Sequence, residues 1–326
     1  MSIGAMFGGG FYVIQGGFQL LENTYPEKNW ELNGEALASK LPKNEQAKLK
    51  KIETMKNRIC QVAGIPESQV SIRLQRRGLA ELHGHANKAV LAIGLELLEA
   101  YQITEVSTKG PVLKLPSLFR EFIDNLPEHP DDLKQTIKSM KPQDREHYWS
   151  LSKDYAFNLS DEEMQFIIGH EILGHAVSYD SAWNGVYTTV CGIGAYCSAL
   201  LADAYFPFPG SSLIWQAAFY TVSYIGLQSV LVRRQEKNAD RQSLMVNDHV
   251  AGGVKFFKRL MALNLLNKYH KHRVGTEPHF YQLFTNSEGD HCGSFHNENV
   301  RDRLLRCLQV KQQLFTQAEK QVDLKP

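Results

Sequence analysis

Gly169-His170-Glu171-Ile172-Leu173-Gly174-His175 is answered downstream by Arg233-Arg234-Gln235-Glu236-Lys237-Asn238-Ala239-Asp240. Two histidines bracket a glutamate, and a second glutamate follows on what reads as another helix. These are the parts of a zinc hydrolase: neutral imidazoles and a carboxylate to hold the metal, and a free carboxylate to work a metal-bound water. The usual zinc peptidase signature spaces its histidines four apart, whereas His170 and His175 are five apart. At about 100° per residue, that offset turns the second histidine roughly 140° around an ideal α-helix, instead of about 40°. Both rings can face one metal only if the helix absorbs the extra residue, most simply as a π-bulge. Gly174, directly before His175, is where the backbone has the freedom to adjust.

Taken alone, the first segment is equally an ordinary helix with polar residues on two faces. The second segment alone is equally a charged helix start with Arg233 and Arg234 in solvent. Together they point to a metal site. Glu236 and Asp240 are four apart, so one helical face carries both. Glu236 is suited to bind zinc, and Asp240 to accept a hydrogen bond from the outer nitrogen of a ligating histidine, which fixes its tautomer.

Leu159-Ser160-Asp161-Glu162-Glu163-Met164-Gln165-Phe166-Ile167-Ile168-Gly169 leads into the first motif with a capping Ser160 or Asp161, an acidic first turn and an apolar run. This lead-in resembles that of the HtpX and CAAX prenyl endopeptidase family of gluzincin metallopeptidases. Arg233, Glu236, Ala239 and Asp240 match the family's second signature. Ala89 to Leu98 is similar to its strand-turn-helix, whose strand borders the cleft and lends its edge to substrate. Phe295-His296, followed by Val300-Arg301-Asp302-Arg303-Leu304, is similar to its closing His-Pro…Arg helix. Asn297 stands where that motif has proline, and Arg301 and Arg303 flank the expected arginine position, so spacing leaves open which reaches the site. The six-residue form His-Glu-x-x-Gly-His resembles instead the motif of dipeptidyl peptidase III, a precedent for the longer spacing.

The rest of the chain bounds the reading. Its 326 residues allow one large domain or two, and a net charge of +1 gives nothing for nucleic acid to bind. Five scattered cysteines, Cys60, Cys191, Cys197, Cys292 and Cys307, and no basic residue before Lys28 suit a reducing compartment without a cleavable signal peptide. Residues 1–27 read as a glycine-rich leader, and 28–326 as the metallopeptidase domain. Lys40 to Ala63 reads as a helix ending near Gly64, and Val70 to Leu74 and Ala89 to Ile93 as strands. Residues 105–158, punctuated by Pro111, Pro116, Pro127, Pro130 and Pro142, read as an insertion, a lid or recognition element. Residues 185–232 read as an apolar helical hairpin, since Gly185–Ala202 and Ser211–Val232 are uncharged and about long enough to cross a bilayer. Arg233-Arg234 would then mark the cytoplasmic side, with both metal motifs in the cytoplasm. A buried hairpin in a soluble cytoplasmic enzyme is the alternative. His83-x-His85 and His270-x-His272 read as loop histidines.

The fold expected is therefore α+β and mainly helical, a gluzincin domain with a small edge sheet. The resemblance implies a zinc endopeptidase acting on protein or peptide. His170, His175 and Glu236 would hold one Zn2+ per chain, with Glu171 as general base and Asp240 behind the metal ligands. His296, Arg301 and Arg303 are the candidates to stabilise the oxyanion. Substrate would lie extended along the strand around Val90 to Ile93. An exopeptidase of the same chemistry, or a catalytically inactive membrane-associated binding protein on the same fold, are the alternatives.

Overall fold

Described by the computed structural model are residues 41–75, 79–85, 88–101, 114–156, 158–176, 233–271 and 299–323, with isolated positions between 186 and 230. They form a mainly helical α+β structure with one small sheet. The leader expected over 1–27 lies outside the described residues, as does His296.

The first helix, α1 (Lys43–Ala63), buries Ile52 and Ile59, two turns apart on one face. It stops at Gly64, whose φ of 68° is left-handed, and the Ile65 amide returns to the Cys60 carbonyl. Three strands follow, β1 (Val70–Gln75), β2 (Ala80–His85) and β3 (Lys88–Gly94), in the spatial order β1-β3-β2. β1 runs parallel to β3, and β2 antiparallel to it with Leu82 opposite Leu91. A short helix, α2 (Leu95–Ala100), completes the strand-turn-helix. The strand expected to offer its edge to substrate is thus the centre of the sheet. With ladder bonds on both sides, Ala89 to Ile93 have no free amide row left for a peptide. The edge beside the metal motif belongs to β2, which holds His83 and His85 on a strand and not in a loop.

Within the stretch expected as an insertion, residues 114 onward form α3 (Lys114–Asn125), α4 (Pro130–Ser139) and α5 (Pro142–Tyr155). Pro130 and Pro142, read as punctuation, each begin a helix, where a missing amide costs nothing. Phe119 and Ile123 of α3, and Leu133 and Ile137 of α4, are buried pairs at four-residue spacing. Tyr148 of α5 stacks on Phe122, ring centroids 3.8 Å apart. All three helices share the main hydrophobic core.

That core is organised by the metal-motif helix α6 (Asp161–Gly169) and the long α8 (Asn247–Lys271). Between them in sequence lies α7, a helix over 233–244. α6 and α8 lie so close that a Cβ on Gly252 would sit 2.0 Å from the Glu162 carbonyl oxygen. A buried ion pair locks the same helix pair. Arg259 of α8 donates through Nε and Nη2 to the two oxygens of Glu163, at 2.7 and 3.1 Å. Glu163 also closes a capping box with Ser160 at the start of α6. The closing helix α9 (Val300–Asp323) packs on α8 through Leu304 and Cys307. Cys60, Cys197 and Cys307 are free thiols.

The two stretches expected as a membrane hairpin, Gly185–Ala202 and Ser211–Val232, fall largely outside the described residues. Among those described, no helix is long and apolar enough to cross a membrane.

Candidate metal centre

α6 runs into a π-helix over His170–Ala176. Hydrogen bonds from i to i+5 widen the turn, so backbone positions five apart return to one face. That is the backbone spacing of His170 and His175. The side chain of His175 lies outside the described part. Gly174, inside this π-helix, also permits a close approach: a Cβ there would meet Ala239 Cβ at 2.1 Å and Ala239 Cα at 2.5 Å. Glycine is therefore required by close approach, and the approach is between the two motifs themselves, since Ala239 lies between Glu236 and Asp240 on α7.

This approach brings the side chains together. His170 Nε2 lies 3.3 Å from Glu236 Oε2, and His170 Nδ1 lies 3.1 Å from Asp240 Oδ1. Asp240 is fully buried. Of the two candidate arginines, Arg303 is the one at the site. Its Nε and Nη2 donate to Asp240 at 2.9 and 2.7 Å, its Nη2 lies 3.1 Å from Glu236, and its guanidinium stacks over Phe257. Arg301 instead pairs with Asp131 at the start of α4, 3.0 Å away and exposed. Arg306, one turn beyond Arg303, was not singled out from the sequence, yet its Nη1 donates to Asp240 Oδ2 at 2.7 Å. The signal in the sequence is the three-residue spacing of Arg303 and Arg306, which puts both on one face of α9.

Glu171 Oε2 accepts from the Leu82 amide of β2 at 3.0 Å. In an antiparallel ladder alternate amides point away from the partner strand, and Leu82 contributes one of these to the carboxylate. The outer face of β2 adds Glu81 and His83, whose Oε2 and Nε2 are 3.7 Å apart.

Charge follows from this packing. Burial pushes Glu171 up to about 7, with Glu236 and Glu81 raising it further while His170 and the Leu82 amide hold it down. Burial works against a charged His170, but the carboxylates of Asp240 and Glu236 beside its two ring nitrogens outweigh that, and the ring is lifted to about 9. For Asp240 burial is likewise overcome: Arg303 and His170 keep the carboxylate ionised well below the usual range. A carboxyl poised near neutrality beside a strand edge is suited to general base work.

The donor set fits a zinc ion at the pair the structure describes. Two ligands held at about 2.0–2.1 Å on one tetrahedral ion lie roughly 3.3–3.4 Å apart, and His170 Nε2 and Glu236 Oε2 are 3.3 Å apart. Asp240 on the other ring nitrogen is the partner that ligating histidines usually have. Among the described residues no set of three or more His, Cys, Asp or Glu side chains converges as a metal site.

Residues 134–277 match the profile of Peptidase family M48. The matched segment is less than half of the chain, but it holds His170, Glu171, His175, Glu236 and Asp240. This similarity supports a metallopeptidase acting on peptide or protein, in a family that is generally zinc-dependent. No curated protein and no solved structure matches the chain.

Proposed function

We propose that this chain is a zinc-dependent endopeptidase, similar in its motif pattern to the HtpX and CAAX prenyl endopeptidase group. The observation that carries the reading is the approach of His170 Nε2 to Glu236 Oε2, 3.3 Å apart although the residues belong to separate motifs. His170, His175 and Glu236 would hold the ion, which when bound supplies Lewis acidity to the scissile carbonyl. Glu171 takes the proton of the attacking water and later passes it to the leaving amine. Arg303, held between Asp240 and Glu236, would be the cation that steadies the developing oxyanion. An extended peptide would run along the outer side of β2, an edge strand among the described residues, beside Glu171, a mode tolerant of side chains. The π-helix supports an active enzyme over an inactive binding protein, because it absorbs the extra residue between the histidines.

We further infer that the chain associates with a membrane through 185–232, with its metal motifs on the cytoplasmic side. Supporting this are helical positions with outward apolar side chains: Val190 (56 % exposed), Ile193 (55 %), Val222 (73 %) and Val230 (64 %). The exposed Arg233 and Arg234 follow directly. Recovery of monodisperse protein without detergent would refute this part of the reading.

The enzymatic reading is tested by metal content together with hydrolysis of an unfolded protein. The expected result is one zinc per chain, with activity removed by a chelator and restored by zinc. Protein that binds no zinc, or hydrolysis indifferent to chelation, would overturn it.

A further inference from the structure

Asp240 has four polar contacts on two oxygens. Oδ1 faces Arg303 Nη2 at 2.7 Å and His170 Nδ1 at 3.1 Å, while Oδ2 accepts from Arg303 Nε at 2.9 Å and Arg306 Nη1 at 2.7 Å. The carboxylate is entirely buried, and both guanidiniums are nearly so, with 15 % and 12 % of their side-chain surface exposed. A buried carboxylate is stable as an anion only when such donors surround it. Its negative charge, 3.1 Å from His170 Nδ1, favours the proton on that nitrogen and so leaves the Nε2 lone pair for a metal.

Arg303 divides its bonds between Asp240 and Glu236, so it answers to both carboxylates at once. The Arg306 bond goes to the Asp240 oxygen that does not face the histidine. From there it holds Asp240 without competing for the ring. We propose that Arg306 is a positioning residue for the metal ligand His170, acting through Asp240. The closing helix α9 thereby sets the metal affinity of motifs on the π-helix and α7. The inference rests on the zinc reading above.

The test measures zinc affinity by chelator competition on the full chain, alongside the melting temperature of the metal-free protein. Arg306→Met should weaken zinc binding by about ten- to a hundredfold, and Arg306→Lys, which keeps a cationic donor, should recover part of that loss. A variant whose melting temperature falls while its zinc affinity stays at the wild-type value would make Arg306 merely structural and overturn the proposal. If Arg306→Met does not fold, Arg306→Lys decides alone: several-fold weaker zinc binding supports the proposal, and wild-type affinity refutes it. Wild-type protein that binds no zinc would instead remove the reading on which the proposal rests.

Discussion

Replacing Gly174 with alanine should separate the two halves of the metal site. The added Cβ would lie 2.1 Å from Ala239 Cβ and 2.5 Å from Ala239 Cα. Carbon atoms pack at about 3.5–4.0 Å, so the π-helix and α7 must part by roughly 1–1.5 Å. No rotamer change can relieve this, because one of the clashing atoms is backbone. Taken up at the site, that shift would open the 3.3 Å gap between His170 Nε2 and Glu236 Oε2 to about 4.5 Å, too wide for two ligands on one zinc ion. Overpacking of this kind costs about 1–3 kcal/mol, or on the order of 2–6 °C in Tm for a chain of this size. Zinc stoichiometry, zinc affinity and Tm should be read on one preparation, and both zinc measures should fall. Combining the change with Ala239→Gly removes the tighter clash but leaves the one with the backbone of α7, so it should rescue only in part. A folded Gly174→Ala protein with wild-type zinc affinity would refute the argument that this glycine sets the ligand distance.

Glu171→Gln should keep zinc while losing at least about a hundredfold in turnover, because the substitution removes the base and no ligand; unchanged turnover in purified protein would exclude Glu171. The raised value of His170, about 9 against an ordinary 6.5, has two consequences of opposite sign. Its contribution to the stability of the metal-free protein is complete below about pH 6.5 and fades as pH rises through about 9. Zinc affinity should climb over the same interval, since the Nε2 proton ceases to compete, and a flat pH profile in chelator competition would contradict the charged pairing. Deleting Leu173 restores four-residue spacing, so zinc should survive on a regular helix. The lost side chain is only 6 % exposed, so stability should drop by about 2–5 kcal/mol. Loss of zinc from a folded deletion variant would mean that the π-helix itself is required.

Local patterns were enough for everything that depends on neighbours in the chain. Ser160 and Glu163 spell a capping box, Gly64 a helix stop, and His170-x4-His175 a turn that cannot be a regular α-helix and carry both rings on one face. The same holds for the four-residue pairing of Glu236 with Asp240. Contacts between distant segments were not legible. Strand order is one such case: Ala89 to Ile93 reads as an edge strand until β1 and β2 are seen on either side of it. The packing of the proline-rich stretch is another: only the structure places Phe119, Leu133 and Ile137 in the common core. Gly174 reads as a flexible joint, and only the proximity of Ala239 makes it a spacing element. Arg301 and Arg303 are indistinguishable by sequence offset, yet they lie on different sides of α9, one toward Asp131 and the other toward Asp240. The physical reason is common to these cases. A hydrogen-bonded turn is decided within a few residues, whereas side-chain partners, free strand edges and buried charges depend on which distant elements exclude water from them.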